Sequence, residues 1–148
     1  AGLAPVLEQV LEKYPQDVKV VFKNFPISSH KFAMKAAVAA LAAESQGKFW
    51  EFHDLLFENY NKLSDEKIQE IARTVGLNQE EYEKMKKDPA IQGKIRRDLA
   101  DGRQAGVRGT PTVFINGKRL RDRSLQGFQA AIDKQLAKLG KSAAKPAS

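Results

Sequence analysis

The sequence predicts an α/β fold in which a small sheet is interrupted by a block of helices. Three observations carry this. Residues 18 to 25 form a run rich in β-branched and aromatic side chains, the stretch GTPTVFINGKRLRD reads as strand, turn and strand, and the long segment between them has helical periodicity.

The chain opens on AGLAPVLEQVLEKY, where Leu3, Val6, Leu7, Val10 and Leu11 fall at helical spacing and Pro15 follows as a stop. Pro5 lies within this pattern, so it either occupies the first turn or kinks the helix. Next comes DVKVVFKNFP, in which Val18, Val20, Val21, Phe22 and Phe25 predict a largely buried strand of a parallel sheet. From residue 28 the character changes. Ser28 or Ser29 is a candidate cap for a helix that carries Phe32, Met34, Ala36, Ala37, Val38, Ala40 and Leu41, mostly small residues that let neighbouring helices approach. Gly47 ends it. In KFWEFHDLLFENY the residues Phe49, Trp50, Phe52, Leu55, Leu56 and Phe57 predict a broad core-facing stripe. Ser64-Asp65-Glu66-Lys67 reads as a capped start, Gly76 as a stop, Asn78 as the next cap and Asp88-Pro89 as another. The stretch AIQGKIRRDLADGRQAG is expected to close the block at the glycines 102 and 106.

After the block, Asn116-Gly117 is the two-residue turn of a hairpin, and Ser124 caps an amphipathic helix with Leu125, Phe128, Ile132 and Leu136 on one face. KSAAKPAS has nothing to bury and reads as a tail. The expected division is therefore 1–27, a helix and a strand; 28–105, an all-helical insertion; 106–137, a proline loop, hairpin and final helix; and 138–148, the tail. A strand that pairs in parallel across a helical crossover does so right-handedly. An α/β layer normally opens on a strand feeding its first helix, whereas this chain opens on the helix, so the first strand is expected to be missing from it.

A chain of 148 residues with 42% hydrophobic content is long enough to bury one substantial core. There is no cysteine, which excludes disulfides, thiolate metal sites and cysteine nucleophiles within these residues. His30 and His53 are the only imidazoles, and both read as ordinary helix or loop residues, so no metal site is expected. The formal charge of +7 raises the question of an anionic partner. The basic residues are spread along helical segments, however, and Arg96-Arg97, Lys118-Arg119, Arg121 and Arg123 read as solvated faces; nucleic acid is not an expected partner. Runs such as AAVAALAA are too short to span a bilayer, and AGLAPVLEQV lacks the pattern of a signal peptide, which leaves the compartment open.

Three stretches resemble the DsbA-like branch of the thioredoxin superfamily: VVFKNFPISSHKFAMKAAVAALAAESQGKFWEFHDLLF, GVRGTPTVFING, and AGLAPVLEQVL with its Pro5. The resemblance runs from residue 1 to about residue 136 and implies a thioredoxin-like fold with a helical insertion. It implies that Arg108, Gly109, Thr110 and Pro111 form a cis-proline loop whose backbone pairs with an extended polypeptide substrate, and that Ala1, Gly2 and Pro5 begin the first active-site helix. It also implies a periplasmic or other extracytoplasmic place, a redox partner protein and no bound cofactor. In this family a Cys-x-x-Cys pair would stand directly before Ala1, so the chain as written is expected to lack dithiol–disulfide activity. Two functions follow: a thiol–disulfide oxidoreductase acting on cysteines of exported proteins, or a redox-inactive module that holds peptides. Without a central strand, the flanking strands close up, a second chain supplies one in a strand-complemented or swapped homodimer, or further residues of the protein do so.

Overall fold

A computed structural model describes residues 3–26 and 31–140. These residues form seven α-helices, a short 3-10 turn and one two-stranded sheet. They fall into two compact units, one drawn from Ala1–Phe22 and Thr110–Ser148, the other from Lys23–Gly109.

The first unit contains α1 (Leu3–Lys13), β1 (Val113–Ile115), β2 (Lys118–Leu120) and α7 (Leu125–Lys138). Pro5 lies in the first turn of α1, where a missing N–H removes no intrahelical bond. The core is Val10 and Tyr14 against Phe128, Ile132 and Leu136, with Leu3, Val6, Leu7, Val18, Val113, Ile115, Leu120 and Leu125 packed around it. The period of α7 explains its share: Phe128, Ile132 and Leu136 recur every fourth residue on one face. Leu11, from the stripe expected on α1, is instead exposed. The Tyr14 hydroxyl donates to Asp133 Oδ1 at 2.7 Å, which ties the end of α1 to α7 by a polar contact at the edge of the core.

β1 and β2 pair antiparallel, with Val113 opposite Leu120, Phe114 opposite Arg119 and Ile115 opposite Lys118. Asn116 and Gly117 have φ of 48° and 79°, the pair of positive values that a type I′ turn needs. The strand expected at residues 18 to 25 does not form. Residues 18–26 join no ladder, and the only sheet among the described residues is β1 with β2. Half-buried Val18, Val20 and Phe22 alternate with exposed Lys19, Val21 and Lys23, and Val21 is 64% exposed. The alternation is that of extended backbone lying on a core with one face, not of a central strand buried on both.

The second unit is built around α2 (Ala33–Glu44), which contacts α3 (Phe49–Glu58), α4 (Asp65–Thr74), α5 (Gln79–Lys86) and α6 (Pro89–Gln104). Ala36, Ala39, Ala40, Ala42 and Ala43 are buried, so four helices reach one axis across methyl groups. Met34 lies outside that interface and is exposed. α2 begins after Phe32, which makes no side-chain cap bond; Ser28, Ser29 and His30 lie outside the described residues. The later caps form as the sequence indicates. Ser64 accepts from Lys67 N, Asn78 from Glu81 N and Asp88 from Ala90 N, each of a kind that stabilises a helix by about 1 kcal/mol.

α6 continues through Gly102 rather than stopping there, and ends before Gly106, whose φ is 81°. A Cβ at Gly102 would stand 2.7 Å from the Phe25 ring, so the glycine serves a close approach. Nearby, buried Asp98 accepts from the Asn24 backbone N and from Asn24 Nδ2, both at 2.9 Å, and Lys94 lies 3.6 Å away. This pins residues 23 to 25 to α6, a contact that the sequence does not announce. Trp50 departs from expectation as well. Phe49, Phe52 and Leu56 enter the core, but Trp50 and Phe57 are each 44% exposed, because a ten-residue helix packed on one side cannot bury positions that lie round its flank.

Candidate functional site

The expected substrate loop lies at the head of β1. Arg108, Thr110 and Pro111 are exposed, Gly109 is half-buried, and the Thr110-Pro111 bond is cis. Thr110 and Pro111 belong to the first unit, with Pro5, while Arg108 and Gly109 close the second. Pro5 is exposed on the first turn of α1; Ala1 and Gly2 lie outside the described residues.

β1 follows Pro111 by two residues, and its Val113 and Ile115 turn their side chains onto the same core as Leu3, Val6 and Leu7 of α1. One edge of β1 is taken by β2. No strand pairs with its other edge among the described residues. A two-residue turn makes Ile115 and Lys118 the closing hydrogen-bonded pair, and alternation then assigns Val113 with Leu120 to the same class. The backbone N–H and C=O of Phe114 therefore point to the unpaired edge. An unpaired edge of this kind can accept a further strand, whether from the same protein or from another chain.

Arg123, which the sequence presents as one cation of a solvated group, donates from Nη1 to the carbonyl of Pro111. It is held in a tight turn: Asp122 Oδ1 accepts from Ser124 N at 3.0 Å, and Ser124 Oγ accepts from Gly127 N at 3.1 Å. Hydrogen bonds from the Ser124 side chain and backbone keep the Asp122 carboxyl below its ordinary value. A Cβ on Gly127 would fall 2.1 Å from the Asp122 carbonyl oxygen, so only glycine fits. Gly127→Ala is expected to destabilise the first unit by about 2–3 kcal/mol, a cost of overpacking against backbone, and urea unfolding of the variant measures it.

Other basic side chains converge only in part. Lys118 of β2 meets α7, where its hydrogen bond and charge, with Lys134, push Lys138 below its ordinary value. Arg96 and Arg97 are exposed on α6 in the other unit. His53 lies between rings, 5.9 Å from Phe49, 5.6 Å from Trp50 and 5.4 Å from Phe57, and 3.6 Å from Asp54. Burial lowers its pKa, opposed in part by Asp54. No group of His, Asp and Glu among the described residues is arranged to hold a metal, and no described helix is long and apolar enough to cross a membrane.

Residues 3–133 match the DSBA-like thioredoxin domain. The chain belongs to the DsbA-like family. The fold of this DsbA-like domain is similar to that of the thiol-disulfide exchange protein α-DsbA2 from Wolbachia pipientis, with a TM-score of 0.75 and 25% identity over 88% of this chain and 72% of that one. A thioredoxin-like oxidoreductase from Silicibacter pomeroyi gives a TM-score of 0.70 at 25% identity, covering 91% of this chain and 82% of that one. In sequence the domain is 34% identical over 116 residues to a Na(+)/H(+) antiporter NhaA 3 of Salinispora tropica, covering 78% of this chain and 18% of the antiporter. A NhaA antiporter of Herminiimonas arsenicoxydans is 33% identical over 108 residues, covering 73% and 17%. The domain thus spans under a fifth of the length of these antiporters. It has the fold of thiol–disulfide oxidoreductases, with no cysteine in its 148 residues.

Proposed function

We propose that this domain is the body of a DsbA-like thiol–disulfide oxidoreductase that acts on cysteines of exported proteins, in the periplasm or another extracytoplasmic compartment. The observation that carries the reading is the exposed Thr110-Pro111 step at the head of β1. There an extended polypeptide gains main-chain hydrogen bonds to the exposed backbone ahead of the proline. Arg108 and Gly109 lead into this step and complete the substrate loop.

The exchange itself needs two sulfurs. A thiolate attacks one sulfur of a disulfide and forms a mixed disulfide as the other sulfur leaves as thiolate. The second thiol, losing its proton, then attacks the first thiol's sulfur, closing the pair's own S–S bond and releasing the remaining substrate sulfur as thiolate. In this reading the pair stands ahead of α1, the helix that carries Pro5 in its first turn, where unpaired N–H groups favour a thiolate. A redox partner protein resets the pair. Nucleic acid is not a partner in this reading, since Lys23, Lys35, Lys48, Lys67, Lys86 and Lys94 each lie beside a carboxylate. The open edge of β1 is also where a second copy would add a strand in a homodimer.

The absence of cysteine favours a second reading, a redox-inactive module that holds peptides along the same loop. Insulin reduction separates the two. The 148-residue chain is expected to show no activity, and the protein with its own residues ahead of Ala1 is expected to be active. If that longer protein is inactive while the chain binds unfolded polypeptide, the second reading replaces the first.

A further inference from the structure

We propose that Arg123 is a positioning residue of the peptide-capturing loop, holding the Pro111 carbonyl on the side of β2 and so fixing the Thr110-Pro111 step that leads into β1. This rests on the reading of that loop as a polypeptide-binding element. The argument is one of parity. Ile115 and Val113 face β2 with their backbone groups, and Pro111, two residues further back, falls on the same side. Proline has no N–H to offer a ladder, so its carbonyl is the one group left for the returning chain to satisfy.

Continuing the register of the hairpin sets Asp122 opposite Pro111, beyond the end of β2 at Leu120. The backbone has left the ladder there and turns into the capped start of α7. Arg123 supplies the missing donor from its side chain, meeting the Pro111 carbonyl where a backbone N–H would have done so. Its own backbone is fixed by the Asp122–Ser124 bond on one side and the Ser124–Gly127 bond on the other. Occupied in this way, the Pro111 carbonyl is tied to the start of α7, and the backbone of the Thr110-Pro111 step is held in place.

Two measurements on the 148-residue chain test this. The first is amide hydrogen exchange at Thr110, Thr112 and Val113 in wild type, Arg123→Ala, Arg123→Gln and Arg123→Lys. The second is affinity for S-carboxymethylated insulin B chain, an unfolded polypeptide with no free thiol. For Arg123→Ala we expect faster exchange at these amides, affinity weaker by about three- to tenfold for loss of an exposed charge-assisted bond, and an unchanged melting temperature. Arg123→Lys is expected to recover part of both effects, and Arg123→Gln shows whether a neutral donor suffices. Unchanged exchange in Arg123→Ala overturns the inference whatever the peptide does. Faster exchange with full affinity overturns the role in capture. Should wild type fail to bind the polypeptide while exchange still responds, the loop's function has been misread but Arg123 positions it.

Discussion

Phe52→Ala is expected to destabilise the helical unit by about 3–5 kcal/mol, the range for emptying a buried phenylalanine site. Phe52 is 0% exposed, on the inward face of α3, with its ring 6.1 Å from that of Tyr82. Its neighbours are held by helices that all lean on α2, so the site has little freedom to collapse and the cost should lie toward the upper end. Chemical denaturation monitored by far-UV circular dichroism measures the loss. Trp50→Ala is the matched control, since Trp50 is 44% exposed, and it is expected to cost much less. Equal effects from the two would mean that the stripe on α3 is buried all round.

Alkaline pH is expected to weaken both units. Burial pushes the Tyr82 hydroxyl up from 10.0 to about 12, with the Glu83 charge adding to it, and burial together with Asp133 moves Tyr14 in the same direction. Both groups are neutral acids held protonated by the fold. Below pH 10 they bind the same number of protons folded or unfolded. Above it the unfolded chain releases protons that the folded chain retains, so stability falls as pH rises. For Tyr82 the loss runs from about pH 10 to 12 and amounts to about 2–3 kcal/mol. Tyr82→Phe should flatten that part of the slope. It should cost little at neutral pH, because the Tyr82 hydroxyl is buried with no hydrogen-bond partner among the described residues. Urea melts at stepped pH decide the matter, and an unchanged slope in Tyr82→Phe would assign the alkaline loss elsewhere.

What the sequence displays is what is local. Ser64, Asn78, Asp88-Pro89 and Ser124 begin helices because a cap needs only its next three residues, and Asn116-Gly117 makes a turn for the same reason. The core face of α7 follows from its own period. Residues 18 to 25 have the composition of a strand, but a strand exists only beside a neighbour, and that neighbour is not written into the segment itself. Trp50 carries the same periodic signal as Phe49 and Phe52, yet which flank of α3 is covered depends on α2 and α4. The candidate loop was legible at Thr110 and Pro111 through the wording of GVRGTPTVFING. Arg123 was not, because twelve residues separate it from the carbonyl it meets and one arginine among several carries no mark of its partner. Asp98 and Asn24 are further apart still, and nothing in either neighbourhood signals a buried carboxylate.

The alanine face of α2 has a consequence for how this domain tolerates change. Four helices take their spacing from the same short row of methyl groups, so a larger side chain at Ala39, Ala42 or Ala43 would be felt by several of them together rather than by a single neighbour. Drift at those positions requires coordinated replacement on opposing surfaces, whereas each cap acts only within the start of its own helix and can be exchanged singly for another capping residue.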